Sequence, residues 1–78
     1  MSVDPFSPTP LYVQVADLIA KQIEAGKLEP RKPIPSESQI QQTYGIARGT
    51  ARQAVALLRE RGLVVTVPHR GTYVAWES

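Results

Sequence analysis

Apolar positions recur along the chain at spacings that separate three helices from a terminal hairpin. Leu11, Val15, Leu18, Ile19 and Ile23 fall at helical intervals and form one stripe. Thr9 reads as an N-cap with Pro10 as the first helical residue, where a missing N–H loses nothing, and Gly26 is placed to end the helix in a left-handed conformation. The first helix therefore spans residues 10–25. Pro30, Pro33 and Pro35 then forbid helix until the last of them is passed. Ser36 with Gln39 three residues on is a capping-box pattern, and Glu37 is an acid at the positive end of a helix. This predicts a short second helix over 37–43 that buries Ile40 and Tyr44, with Gly45 supplying the turn. A third helix, 48–61, has Ala51, Ala54, Val55 and Leu58 as its buried stripe and ends at Gly62. VVTV (64–67) pairs with GTYVAW (71–76) across the turn Pro68-His69-Arg70-Gly71, because both segments are rich in β-branched and aromatic residues.

The predicted class is α+β, mainly α: three helices followed by a two-stranded hairpin, as residues 10–76. Residues 1–9 hold Pro5 and Pro8 and are expected to form an extended, flexible arm. Tyr12 and Tyr44 read as packing residues. Trp76 is placed to cover the hairpin or to sit in a dimer contact.

Composition narrows the chemistry. A chain of 78 residues supports one thin core with little room for a deep substrate cavity. With no Cys and a single His, thiolate metal sites, disulfides and paired-His chemistry lack their parts, so neither an enzyme nor a cofactor is expected. No apolar run approaches the roughly 20 residues that cross a bilayer, and the N-terminus lacks the basic flank and apolar core of a secretory signal. A soluble, cytoplasmic, membrane-free protein is the expectation.

Charge is unevenly distributed. Residues 1–44 hold Lys21, Lys27, Arg31 and Lys32 against five acids, whereas residues 45–78 hold Arg48, Arg52, Arg59, Arg61 and Arg70 against Glu60 and Glu77. The basic half uses only arginine, whose planar fork suits phosphate and guanine. At about 100° per residue, Arg48, Arg52 and Arg59 share the third helix's solvent face with Gly49 and Ala56. Two helices joined by a short glycine turn are the sequence form of a helix-turn-helix, and a hairpin after the second adds a wing. Arg48 and Arg52 then project from the first turns of a recognition helix, within reach of guanine edges, and Gly49 lets the backbone approach a duplex. Arg59 and Arg61, toward the helix's C-terminus, read as structural cations. Glu37 is a candidate partner for Arg52.

Five ordered segments, PLYVQV (10–15), IPSE (34–37), IARGTAR (46–52), LLRERGLV (57–64) and HRGTYV (69–74), resemble the N-terminal DNA-binding domain of the GntR family of bacterial transcription regulators. The resemblance implies a winged helix-turn-helix that binds double-stranded operator DNA and acts as a repressor; since one recognition helix reads only a short half-site, an inverted repeat held by a homodimer is expected. The resemblance also implies base and phosphate contacts from Arg48, Thr50 and Arg52, and a wing glycine, Gly71, along the minor groove. Ser36 and Glu37 match the start of the second helix, where phosphate contacts and support for the recognition arginines are expected. Three positions depart from the pattern: Ser38 stands where a basic residue is frequent, Ala47 where Ser or Thr would cap the helix, and His69 where the first wing glycine falls. The candidate DNA-binding set is Ser36, Glu37, Ser38, Arg48, Gly49, Thr50, Arg52, His69, Arg70 and Gly71. Family members normally continue into a domain that binds a small effector; no such domain, and no effector site, is expected within these residues. The competing reading is a winged-helix protein-interaction module that does not read DNA, for which apolar residues should be exposed on the third helix.

Overall fold

The computed structural model describes residues 3–75. Helix α1 runs Leu11–Glu24, α2 Glu37–Tyr44 and α3 Arg48–Glu60; strands β1 (Val64–Val67) and β2 (Gly71–Val74) follow. The strands pair antiparallel in the register Val64↔Val74, Val65↔Tyr73, Thr66↔Thr72 and Val67↔Gly71. This is the predicted order of three helices and a hairpin, the winged helix-turn-helix arrangement.

The core forms where the three helices and one face of the hairpin meet. Val15, Ala16, Ile19, Ile40, Ala51, Ala54 and Leu58 are sealed from solvent, and Val64 and Val74 close the core from the sheet side. The four predicted α3 positions are all buried. On α1 the outcome differs from the predicted stripe. Ala16 and Ala20 are buried along with Val15 and Ile19, Leu11 and Ile23 pack at the margin, and Leu18 lies outside the core cluster. The cause is the packing of α1 on α3: small residues face a neighbouring helix closely, so alanine occupies the covered side and a leucine is left on the rim.

Local chemistry sets the helix ends. Ser36 accepts from the Gln39 backbone N–H at 3.1 Å and its own N–H donates to Gln39 Oε1 at 2.9 Å, the reciprocal cap expected of α2. Gly45 adopts φ 65°, a left-handed conformation that costs glycine little, and turns the chain into α3 within three residues. The start of α1 is displaced by one residue from the prediction. Pro10, not Thr9, is the N-cap; it has no side-chain oxygen to offer, and its carbonyl accepts from Val13 and Gln14. Gln14 does the holding instead. Its amide donates to the Asp4 carbonyl at 2.9 Å and the Thr9 carbonyl at 2.8 Å, and its oxygen accepts from the Asp4 N–H at 2.7 Å. Residues 4–9, for which an extended course was predicted, are turned back against α1 by these bonds.

The proline-rich connection is not a plain loop. Residues 31–34 lie beside β2, with Arg31 N–H donating to Val74 O at 3.0 Å, Val74 N–H to Lys32 O at 2.8 Å and Ile34 N–H to Thr72 O at 3.1 Å. Pro33 sits opposite Tyr73 in this short ladder, at an edge position where a missing N–H is tolerated. The described part of β2 ends at Val74, and Trp76 lies outside the described residues.

Candidate nucleic-acid interface

Helix α3 presents its charged side because its other side is used up by the core. With Ala51, Ala54, Val55 and Leu58 buried, a 3.6-residue period leaves Arg48, Gly49, Arg52 and Gln53 facing outward, all exposed. Thr50 is half-buried at the edge of that face. Ala47, Gly49, Thr50, Arg52 and Gln53 line one shallow depression on the first two turns. Ala47 is the N-cap residue, in extended backbone at φ −72° and ψ 159°, with no side-chain hydrogen bond. A Cβ built on Gly49 meets nothing within 4 Å, so the protein itself does not require glycine there.

The arginines divide into two kinds. Arg59 Nη1 donates to Thr66 Oγ1 at 2.8 Å, and Arg61 Nη1 pairs with Asp17 Oδ1 at 2.8 Å. These two act within the fold, tying α3 to β1 and to α1, as their place near the helix end predicts. The side chains of Arg52 and Arg70, both exposed, make no hydrogen bond or ion pair with the described residues. Glu37 reaches Arg48 Nε at 3.9 Å, with the two side chains 39% and 76% exposed. The acid expected to face Arg52 thus faces Arg48, one turn nearer the N-terminus of α3. At that distance and exposure the pair contributes at most a few tenths of a kcal/mol, and it leaves the guanidinium free to take a better acceptor.

The wing turn completes the surface. Arg70 N–H donates to Val67 O at 3.0 Å across Pro68 and His69. Proline second and a left-handed residue third is the pattern of a type II turn. His69 takes that left-handed place at φ 64°, where glycine or asparagine is usual, and its ring stands exposed at the tip. Ser36 and Glu37 at the start of α2 line one groove with Arg70 and Gly71, and Glu37 lines a second with Arg52, Gln53, Thr66 and Thr72. Seven of the ten predicted positions therefore line connected depressions between α2, α3 and the wing, and Arg48 joins them through its pairing with Glu37. Ser38 and His69 stand apart, exposed on α2 and at the wing tip. Gln53, which is not among the ten, shares this surface. It borders three depressions along α3, and its signal was available: an amide four residues after Gly49, of the type that pairs with adenine edges.

Among the described residues the only large apolar side chain left exposed is Phe6, which is not on α3. The exposed α3 face is thus polar and cationic, contrary to what a purely protein-binding helix face requires. No group of three or more metal-ligating side chains is found among the described residues, and no helix is long and apolar enough to cross a membrane.

Comparisons with known proteins converge. Residues 11–74 match the profile of the family described as "Bacterial regulatory proteins, gntR family". The chain is 39% identical over 75 residues to the HTH-type transcriptional repressor NagR of Bacillus subtilis (strain 168), covering 96% of this chain and 31% of that one. It is 43% identical over 68 residues to the mannosyl-D-glycerate transport/metabolism system repressor MngR of Escherichia coli (strain K12), covering 87% and 28%. It thus spans less than a third of either relative. Among solved structures, AraR(DBD) in complex with operator ORX1 superposes with a TM-score of 0.86 at 35% identity, over 96% of this chain and 95% of that one.

Proposed function

The chain belongs to the GntR family of bacterial regulatory proteins, and on that premise we propose that it is the operator-reading domain of a transcription repressor. The observation that carries this reading is the pair of exposed arginines on the first two turns of α3, Arg48 and Arg52, set beside a wing turn that exposes His69 and Arg70. In a winged helix-turn-helix those turns enter the major groove and the wing lies along the minor groove. Likeness to AraR(DBD), which was solved on an operator, supports the same placement.

Roles follow from position. Arg52 and Gln53 reach base edges, where a guanidinium reads guanine and an amide reads adenine. Arg48, held loosely by Glu37, exchanges that carboxylate for a phosphate or base. Thr50, Ser36 and Ser38 supply hydroxyl donors to phosphate, and Gly49 lets the backbone come close. Arg70 and His69 grip phosphates from the wing, with Gly71 beside the minor groove. One recognition helix reads only a short half-site, so two copies on an inverted repeat give adequate affinity. The domain acts in the bacterial cytoplasm on nucleoid DNA, with no membrane partner, and no residue of it is assigned to an effector.

Selection of binding sites from random duplex DNA tests the reading. A recovered palindromic motif, bound with steep salt dependence, is expected. Recovery of random sequence with salt-independent binding overturns it in favour of the protein-interaction alternative.

A further inference from the structure

Arg31 lies outside the ten positions above, in the connection between α1 and α2. Two features set it apart. Its backbone is left-handed, at φ 69°, a conformation that is unfavourable for a residue with a side chain and readily adopted by glycine. Its segment is also fastened to β2 by the backbone bonds of Arg31, Lys32 and Ile34 already described, so the residue is carried rigidly with the wing. Backbone strain that persists in a fixed segment is a pointer to use. The use is indicated by what surrounds it. Arg31 and Arg70 line one open groove together with Val67 and Tyr73, on the side of the wing away from α3. Tyr73 donates its hydroxyl to the Arg70 carbonyl at 3.3 Å, which holds the wing turn over the groove. Arg31 and Arg70 thus put two guanidinium groups on one groove, and Lys32, next to Arg31 in the chain, is exposed as well; Glu29 is the exposed acid nearest in sequence.

We propose that Arg31 is an additional phosphate-contacting residue, which with Arg70 holds the DNA backbone on the outer side of the wing. The proposal rests on the domain binding DNA as described above. It extends the footprint from the helix-turn-helix and wing tip to the proline-rich connection. Arginine suits the position because its fork reaches a phosphate in two bonds. The contact is sequence-independent, since phosphate oxygens carry no base identity.

The left-handed backbone makes a clean test. Arg31→Gly removes the side chain and relieves the backbone strain, and the thermal midpoint reads any effect on the fold separately from the effect on binding. Wild type, Arg31→Gly, Arg31→Lys and Arg70→Ala are titrated with a selected duplex and a scrambled duplex at several salt concentrations, and their thermal midpoints are measured. For Arg31→Gly the salt slope is expected to fall by roughly one unit, with a loss of roughly 5- to 10-fold near 0.1 M salt on both duplexes, at temperatures well below its midpoint, while Arg31→Lys retains the slope. If Arg31→Gly keeps the wild-type slope while Arg70→Ala lowers it, the proposal is overturned and the reading of the domain stands. If the wild type itself binds neither duplex, both fall together.

Discussion

Arg59 Nη1 donates to Thr66 Oγ1 at 2.8 Å, and Thr66 Oγ1 lies 3.2 Å from Thr72 Oγ1. This short chain runs from the last turn of α3 through β1 into β2, so the recognition helix and the wing are held in one relative orientation by side chains as well as by the core. In the proposed complex both elements meet the same duplex, so their mutual angle matters for binding although none of these atoms needs to touch DNA. Arg59→Met keeps the aliphatic stem and deletes the donor. It is expected to cost about 1 kcal/mol of stability and to weaken binding while leaving the salt slope as in the wild type. Thermal unfolding and salt-dependent titration check it; a slope lowered by one unit instead places Arg59 on a phosphate.

Gly49 offers a test in which stability and affinity move in opposite directions. It is helical, and a Cβ there meets open space. Gly49→Ala is therefore expected to stabilise the free domain by about 0.5–1 kcal/mol. On DNA the added methyl stands where the backbone is proposed to approach, so operator affinity falls. A rise in midpoint with unchanged affinity shows that nothing comes close to this turn.

The missing cap of α3 is a second place where the free fold can be improved. Ala47 is the N-cap residue, exposed and in extended backbone, so its side chain has room. Ala47→Ser supplies the oxygen that accepts from the helix's first N–H groups and is expected to raise stability by about 0.5–1 kcal/mol. A differential midpoint from thermal unfolding measures it, and no gain means that water already satisfies those donors as well.

Much of this architecture was legible because separate local signals agree with one another. Ser36 and Gln39 announced the α2 cap, Gly45 the turn, and the 51-54-55-58 row the buried side of α3; once that side is assigned, the outward face carrying Arg48 and Arg52 follows from geometry. What was not legible depends on partners distant in sequence. Leu18 has the right spacing for the core, yet the tight approach of α3 favours Ala16 and Ala20. The capping function of Thr9 was overridden by Gln14, whose bonds to Asp4 and Thr9 bridge ten and five residues. The Pro33 segment joins β2 although proline argues against strand, because only its flanking N–H groups are needed. Glu37 faces Arg48 rather than Arg52, a choice between neighbouring turns that helical spacing alone does not make.

The proposed binding by two copies has a stoichiometric consequence. Sedimentation with a palindromic duplex from the selection experiment is expected to show two chains per duplex, and one chain on a half-site duplex bound far more weakly. A saturated one-to-one complex on the palindrome refutes the two-fold arrangement and leaves a monomeric reader.

Helix α3 and the wing divide reading the sequence from holding the backbone in the proposed complex. Arg52 stands on the second turn of α3 among residues that line the outward depression, whereas Arg70 lies in the wing turn, and neither has a partner among the described residues that its loss would strand. Since Glu37 faces Arg48, Arg52→Ala does not break an ion pair within the fold, so its effect on binding is free of that complication. Base contacts discriminate between sequences and phosphate contacts do not. Arg52→Ala is therefore expected to cost about 1–3 kcal/mol on the selected site, with relaxed choice at the base it reads. Arg70→Ala is expected to weaken selected and scrambled duplexes alike and to lower the salt slope by roughly one unit. Paired titrations of both variants on both duplexes across a salt series decide it. Equal losses on the two duplexes for Arg52→Ala, or a loss confined to the selected duplex for Arg70→Ala, reverse the roles of helix and wing.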